Sequence, residues 1–212
     1  MNKQLNLVIF GPQGSGKGTQ AKLLAEKFGV PHISTGEMFR CAMAAKSALG
    51  NKARVFMDAG KLVPDDITIG IVKEALARPE TNNGFILDGF PRNVVQYEAL
   101  KEFLAGAGRA DLKYIFIELS EEEALARIAK RFVCQKCEAI YIGNPGKCKK
   151  CGGTSLIQRT DETQDAVRQR LQLFNSQTMP LVRAIEKDGQ LIRVNGAPGI
   201  PEVHEEILRK LS

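Results

Sequence analysis

One nine-residue run constrains this chain more than any other: Gly11-Pro12-Gln13-Gly14-Ser15-Gly16-Lys17-Gly18-Thr19. It sits between the apolar stretch Leu5–Phe10 and a helix-periodic segment, Lys17–Phe28, that Gly29 stops. Gly11 and Gly16-Lys17 stand at phosphate-loop spacing. Small residues let successive backbone N–H groups turn inward around phosphate oxygens, the following helix contributes its positive end, and Lys17 can reach a terminal phosphate. Gly14, Ser15, Gly16, Lys17, Gly18 and Thr19 are therefore candidate nucleotide contacts. The hydroxyl usually found directly after the lysine is displaced, because position 18 is Gly and the hydroxyl arrives at Thr19. Glycines 11, 14 and 16 do not form GxGxxG, and no carboxylate ends the second strand, so the dinucleotide-binding pattern does not fit.

A strand that feeds a helix through such a loop needs cover on both faces. Further strand-like runs lie at His32–Ser34, 84–87, 112–119 and 191–194, and helical patterns at 65–77, 94–104, 121–131, 165–186 and 201–211. That alternation predicts an α/β protein: a P-loop three-layer fold with a mostly parallel five-stranded sheet. With 212 residues, 43% of them hydrophobic, the chain can bury one substantial core and carry inserts. Two intervals break the alternation. Residues 36–63 read as short helices broken near Gly50 and Gly60, and 132–157 turn into cysteine knuckles, lysines and a Gly-Asn-Pro-Gly segment. Inserts at the loop ends of strands are where substrate-covering elements are expected. The net charge of +6 favours anionic partners, and no run approaches the roughly 18 apolar residues of a membrane helix. Because the N-terminal residues lead straight into the phosphate loop, a cytoplasmic location is expected.

Four of the five cysteines form Cys134-x2-Cys137 and Cys148-x2-Cys151, ten residues apart; the fifth, Cys41, reads as a small buried hydrophobe. Two such knuckles can place four thiolates tetrahedrally about zinc, leaving no open position for catalytic water, so the metal would be structural. An iron–sulfur centre and four unrelated thiols are the competing readings. Zinc ribbons also occur in nucleic-acid readers, which Lys147, Lys149 and Lys150 would suit, but a lone ribbon leaves the phosphate loop unexplained. Phosphoryl transfer needs a second anion held in line with the first. Arg40 in the first insert and Arg92, just beyond the third strand in Asp88-Gly89-Phe90-Pro91-Arg92, can grip one with planar forks. Gln96, four residues after Arg92, would share a helical face with it if that turn is already helical, and offers both an amide donor and an acceptor. Asp88 is placed to organise the phosphate loop or to hold a magnesium-bound water. His32 and His204 read as structural.

The stretches GPQGSGKGTQ (11–20), ISTGEMFR (33–40), DAGKLVPD (58–65), GFILDGFPRN (84–93), RTDE (159–162) and VNG (194–196) resemble the adenylate kinases, within the nucleoside monophosphate kinase family, and the likeness covers essentially the whole chain. The resemblance implies a P-loop core (1–33, 64–126, 164–212), a small helical AMP-binding insert (34–63) and a four-cysteine zinc lid (127–163). It implies reversible transfer of the terminal phosphoryl group of ATP to AMP, giving two ADP, with Mg2+ accompanying ATP and structural Zn2+ in the lid. Thr35, Arg40, Lys61, Leu62, Val63, Gly89, Phe90, Pro91, Arg92 and Gln96 would surround AMP, Gln96 reading the adenine edge. Arg127 would lie against the donor adenine, with Ile140, Tyr141 and the backbone near Pro198. Arg131 and Arg159 would clamp phosphates, and Arg170 would bridge toward the acceptor. Lys17, Arg92, Arg131, Arg159 and Arg170 would carry the electrostatic work of catalysis. Three features depart from the family pattern: a shorter stretch between the knuckles, Lys130 in place of a Gly, and RTDE where RxDD is customary. A uridylate or cytidylate kinase is the alternative within the family. The expected partners are ATP, AMP and ADP, with no membrane or stable nucleic-acid partner, and the chain is expected to be a monomer.

Overall fold

The computed structural model describes residues 5–109 and 111–211; the first four residues and Ser212, which belong to the expected core segments, and Ala110 lie outside the described residues. Five strands, β1 (Leu5–Phe10), β2 (His32–Ser34), β3 (Gly84–Asp88), β4 (Lys113–Glu118) and β8 (Leu191–Asn195), form one sheet in the order β2-β3-β1-β4-β8. Every pairing in it is parallel. The near-continuous apolar strands are what a sheet buried on both faces requires. Period-two alternation then sorts their side chains. Val8, Phe10, Phe85, Leu87, Tyr114 and Phe116 point to one face, under α4 (Asp65–Leu76), α5 (Val94–Gly106) and α8 (Met179–Lys187). Leu7, Ile9, Ile86, Ile115 and Ile117 point to the other, under α1 (Lys17–Phe28) and α9 (Ile200–Leu211).

The chain places β2 and β3 on one side of β1, then crosses to β4 and β8 on the other. A crevice opens at the carboxyl ends of the strands where that direction reverses, the usual place for ligands in open α/β sheets. Two groups of elements hang over it. One is α2 (Thr35–Ala44) with α3 (Ala48–Asp58), which share a core of Phe39, Met43, Ala53, Met57 and Val63. The other is an antiparallel sheet of β5 (Arg131–Cys134), β6 (Ile140–Ile142) and β7 (Leu156–Ile157), in the order β6-β5-β7.

The structure corrects several sequence expectations. The helix expected over 121–131 is α6 (Glu121–Ala129), because pairing with β6 and β7 draws Arg131 into β5. The helix expected over 165–186 is divided: α7 (Gln164–Leu173) passes into a wider π turn over Phe174–Thr178 before α8. Pro180, in the first turn of α8, has no N–H to continue a regular helix. The break between α2 and α3 falls at residues 45–47, not at Gly50. Ser47 caps α3 there by accepting the Gly50 N–H at 3.0 Å. Gly50 serves a different end, since a Cβ on it would run into the backbone of Ala42 and Met43; its absence lets the two helices approach. Cys41 is exposed, not buried. Among the described residues no helix is long and apolar enough to cross a membrane.

Candidate active site

The crevice is a cleft of about 710 Å³, walled by the phosphate loop, α2, residues 61–63 and 88–92, the small antiparallel sheet and the loop after β8. At its floor Gly14 and Gly16 both adopt φ 88, the left-handed region that glycine enters without a Cβ penalty. Position 18 lies close against β3: a Cβ there would stand 3.1 Å from Asp88 Oδ2, a tight contact that would require the carboxylate to give by a few tenths of an ångström. Thr19 lines the cleft, whereas Ser15 is buried with its hydroxyl unpartnered among the described residues.

Lys17 donates from Nζ to Pro12 O at 3.3 Å. Burial brings its ammonium down to about 8; Asp88 opposes the shift, and Arg92, Arg131 and Arg159 reinforce it. Asp88 at the end of β3 is buried, with Oδ2 3.4 Å from Ser34 Oγ and 3.6 Å from His32 Nε2. Burial alone would push its carboxyl up, but the neighbouring His32 and the charges of Lys17 and Arg92 hold it below the ordinary range. Its Oδ1 has no partner among the described residues. An ionised, buried carboxylate with a spare oxygen beside a phosphate cradle fits the water shell of a hard divalent cation.

On the opposite side of the cleft, Arg92 Nε donates to Gly89 O at 2.8 Å and Thr35 Oγ1 donates to the same carbonyl at 3.0 Å. Gly89, at φ 80, has both groups pressed against the place where a Cβ would stand. Thr178 Oγ1 holds Arg92 O at 2.8 Å. Burial brings the Arg40 guanidinium down to about 10, still charged at neutral pH, and lowers that of Arg92. Arg40, Lys61, Leu62, Val63, Phe90, Pro91 and Gln96 all line this side. Gln96 is 1% exposed.

Between the two sides stand Arg131, Arg159 and Arg170, each held by an acid. Arg131 and Arg159 both pair with Glu162, the latter at 3.3 Å. Asp161 accepts from Arg159 at 2.9 Å and from Arg170 at 3.0 Å. Burial opposes ionisation of Asp161, but Arg159, Arg170 and Arg40 prevail and bring it to about 2. Glu162 also accepts from Gln13 Nε2 at 3.2 Å, so the extra methylene of RTDE reaches the phosphate loop itself. Arg127 donates to Gly196 O and Ala197 O, both at 2.9 Å, beside Pro198 on the cleft wall.

Strand alternation divides two residues predicted together. Ile140 lines the cleft, while Tyr141 turns away from it, its hydroxyl 3.2 Å from Cys148 Sγ and accepting the Lys150 N–H at 3.3 Å. All four cysteine sulfurs lie within 4.8 Å of one another, with Cys134–Cys151 at 3.6 Å and Cys137–Cys148 at 3.5 Å. Sulfurs about 2.3 Å from a shared tetrahedral ion would stand about 3.8 Å apart, so the set fits a structural metal. The sequence reading missed an ion group at the rim, where Lys22 on α1 meets Glu37 of α2 at 2.6 Å and Glu138 of the knuckle segment at 3.5 Å. Lys22 stands one helical turn beyond Gly18, the only signal that could have pointed to it.

Comparison with known proteins agrees with this geometry. The chain matches the family model described as adenylate kinase over residues 9–190. It is 46% identical over 209 residues to an adenylate kinase of Clostridium botulinum, covering 96% of each chain. It is 46% identical over 211 residues to one of Thermosipho africanus, covering 96% of this chain and 98% of that one. One of Archaeoglobus fulgidus is likewise 46% identical over 209 residues, with 96% of each covered.

Proposed function

The chain belongs to the adenylate kinase family, and on that premise we propose that it transfers the terminal phosphoryl group of ATP to AMP, reversibly, giving two ADP. The observation that carries this reading is the pairing of two cationic anion sites in one cleft: the phosphate loop with Lys17, and Arg40 with Arg92 opposite. Direct in-line transfer asks the protein for alignment and charge rather than a covalent intermediate. Lys17 and the inward-turned N–H groups would hold the donor phosphates, Arg40 and Arg92 the acceptor phosphate. Arg131, Arg159 and Arg170 would neutralise charge as the group passes between them. Mg2+ bound with ATP would supply further charge neutralisation, with Asp88 holding its water shell. Acceptor contacts would come from Thr35, residues 61–63, residues 89–92 and Gln96, and donor-base contacts from Arg127, Ile140 and Pro198.

In this reading residues 34–63 are the acceptor insert and 127–163 a lid on the P-loop core, and closure of both would exclude water that otherwise takes the phosphoryl group. Cys134, Cys137, Cys148 and Cys151 would hold Zn2+. Thiols kept as metal ligands suit a reducing compartment, and the protein is read as a cytoplasmic monomer. Product formation from ATP with AMP, UMP or CMP as acceptor tests reaction and base choice together. AMP should be the preferred acceptor; preference for a pyrimidine, or no transfer at all, would overturn the reading.

A further inference from the structure

A glutamine amide is ambiguous as a reader of bases. Rotated by a half-turn it exchanges donor and acceptor, so a free glutamine can pair either with adenine, which offers a 6-amino donor beside a ring-nitrogen acceptor, or with a 6-oxo purine, which offers the reverse. Gln96 is not free. Its Oε1 accepts the Arg92 backbone N–H at 2.8 Å, and its Nε2 donates to Asp65 Oδ1 at 2.7 Å. An N–H can only donate and an ionised carboxylate can only accept. A half-turn would set carbonyl against carboxylate and NH2 against N–H, breaking two hydrogen bonds at a buried site and creating two repulsions.

Asp65 is itself held in register. Asn93 Nδ2 donates to both of its oxygens, at 3.0 and 3.1 Å, while Asn93 Oδ1 caps α5 by accepting the Gln96 N–H at 2.9 Å. The first turn of α4 and the first turn of α5 are thus tied through one carboxylate directly beneath the amide. Each amide atom of Gln96 retains one bonding capacity, one N–H and one lone pair, in a fixed order along its edge.

We propose that Asp65 is a positioning residue for acceptor specificity: it orients the Gln96 amide so that the cleft accepts a 6-amino purine and rejects a 6-oxo purine. The proposal rests on the reading of Gln96 as the group that meets the acceptor base. It assigns to Asp65 no contact with substrate.

Steady-state kinetics of the full-length, metal-loaded protein with AMP and with IMP provide the test, on wild type, Asp65→Asn, Gln96→Ala and the double variant. Asp65→Asn should raise KM for AMP about tenfold and narrow the AMP-over-IMP preference by a similar factor, leaving kcat at saturating AMP within about twofold. In the Gln96→Ala background the same substitution should change neither quantity further, because a residue that acts only through its neighbour has nothing left to act on. An unchanged AMP-over-IMP ratio in Asp65→Asn, or an equal effect with and without Gln96, would overturn the proposal alone. An unchanged KM for AMP in Gln96→Ala would overturn the base-reading assignment and the proposal with it. Should Asp65→Asn fail to fold, Asn93→Ser keeps a helix cap but removes the amide that holds Asp65. It should move the preference in the same direction by a smaller factor, and a preference equal to wild type would count against Asp65.

Discussion

The two walls of the cleft are held in place by opposite means. Beneath the phosphate loop lie strands whose side chains are wholly buried, Leu7, Val8, Ile86, Leu87 and Ile115 at 0% exposure. Each such side chain contributes about 1.5–3 kcal/mol of burial. The knuckle sheet has strands of two to four residues, and Ile140, Ile142 and Ile157 remain 36%, 58% and 40% exposed. Its order comes instead from four thiols gathered within 4.8 Å and from ion pairs to Asp161 and Glu162. A structural zinc contributes on the order of 10–16 kcal/mol where the apoprotein segment cannot fold alone. One wall is fixed by the core of the whole molecule; the other rests on its gathered thiols and its charge pairs.

Replacing Lys17 attacks the rigid wall at its chemistry and should give the largest effect. Lys17→Met removes the cation but leaves the strands and the loop glycines untouched, so the melting temperature should stay within a few degrees. Turnover should fall by about 10²–10³-fold or more, the cost of removing one preorganised group from a developing charge. Near-normal turnover in a folded variant would show that the arginines alone suffice, and the contrast between the walls would lose its catalytic meaning.

Stripping the metal attacks the other wall. Chelation under reducing conditions, or Cys148→Ser, should leave the five-stranded sheet folded, with unchanged far-UV circular dichroism over most of the signal and donor binding retained at the phosphate loop. Turnover should fall about 10–100-fold, because Arg131 and Arg159 lose the frame that sets them over the cleft, and residues 131–157 should become open to proteolysis. Cooperative loss of the whole fold on metal removal would mean that the two walls are not separately stabilised.

The same difference explains what could be read in advance. The ends of β1, α1 and β2 were legible to the residue, since a buried parallel strand and a glycine-stopped helix are local patterns with a strong hydrophobic signal. The strands of the knuckle sheet were not, because runs of two to four half-exposed residues carry almost no periodicity and owe their pairing to the cysteines on either side. For the same reason α6 was extended two residues too far, into Arg131. Arg131, Arg159 and Arg170 were assigned to the site by the resemblance to the adenylate kinases, yet their acids could not be assigned: which of Asp161 and Glu162 meets which guanidinium is a tertiary fact. Tyr141 shows the limit most clearly, for its neighbour Ile140 lines the cleft while its own hydroxyl meets a thiol.

Titration separates the walls more gently. Burial brings Lys17 to about 8, whereas an arginine guanidinium holds its charge through that range. The protonated lysine is the form that attracts phosphate, so a pKa lowered from the ordinary lysine range means that charge is lost as pH rises through about 8. The kcat/KM for the donor nucleotide, which reports the free protein, should therefore fall about fourfold between pH 7 and pH 8.5. A bound phosphate favours the charged ammonium and raises its pKa, so kcat at saturating donor should hold to a higher pH before it declines. Lys17→Arg should abolish this alkaline limb whatever activity it retains, because guanidinium does not titrate there. If kcat/KM keeps its descent near pH 8 in that variant, the titrating group lies elsewhere, and the distinction between a tunable lysine and fixed arginines does not hold.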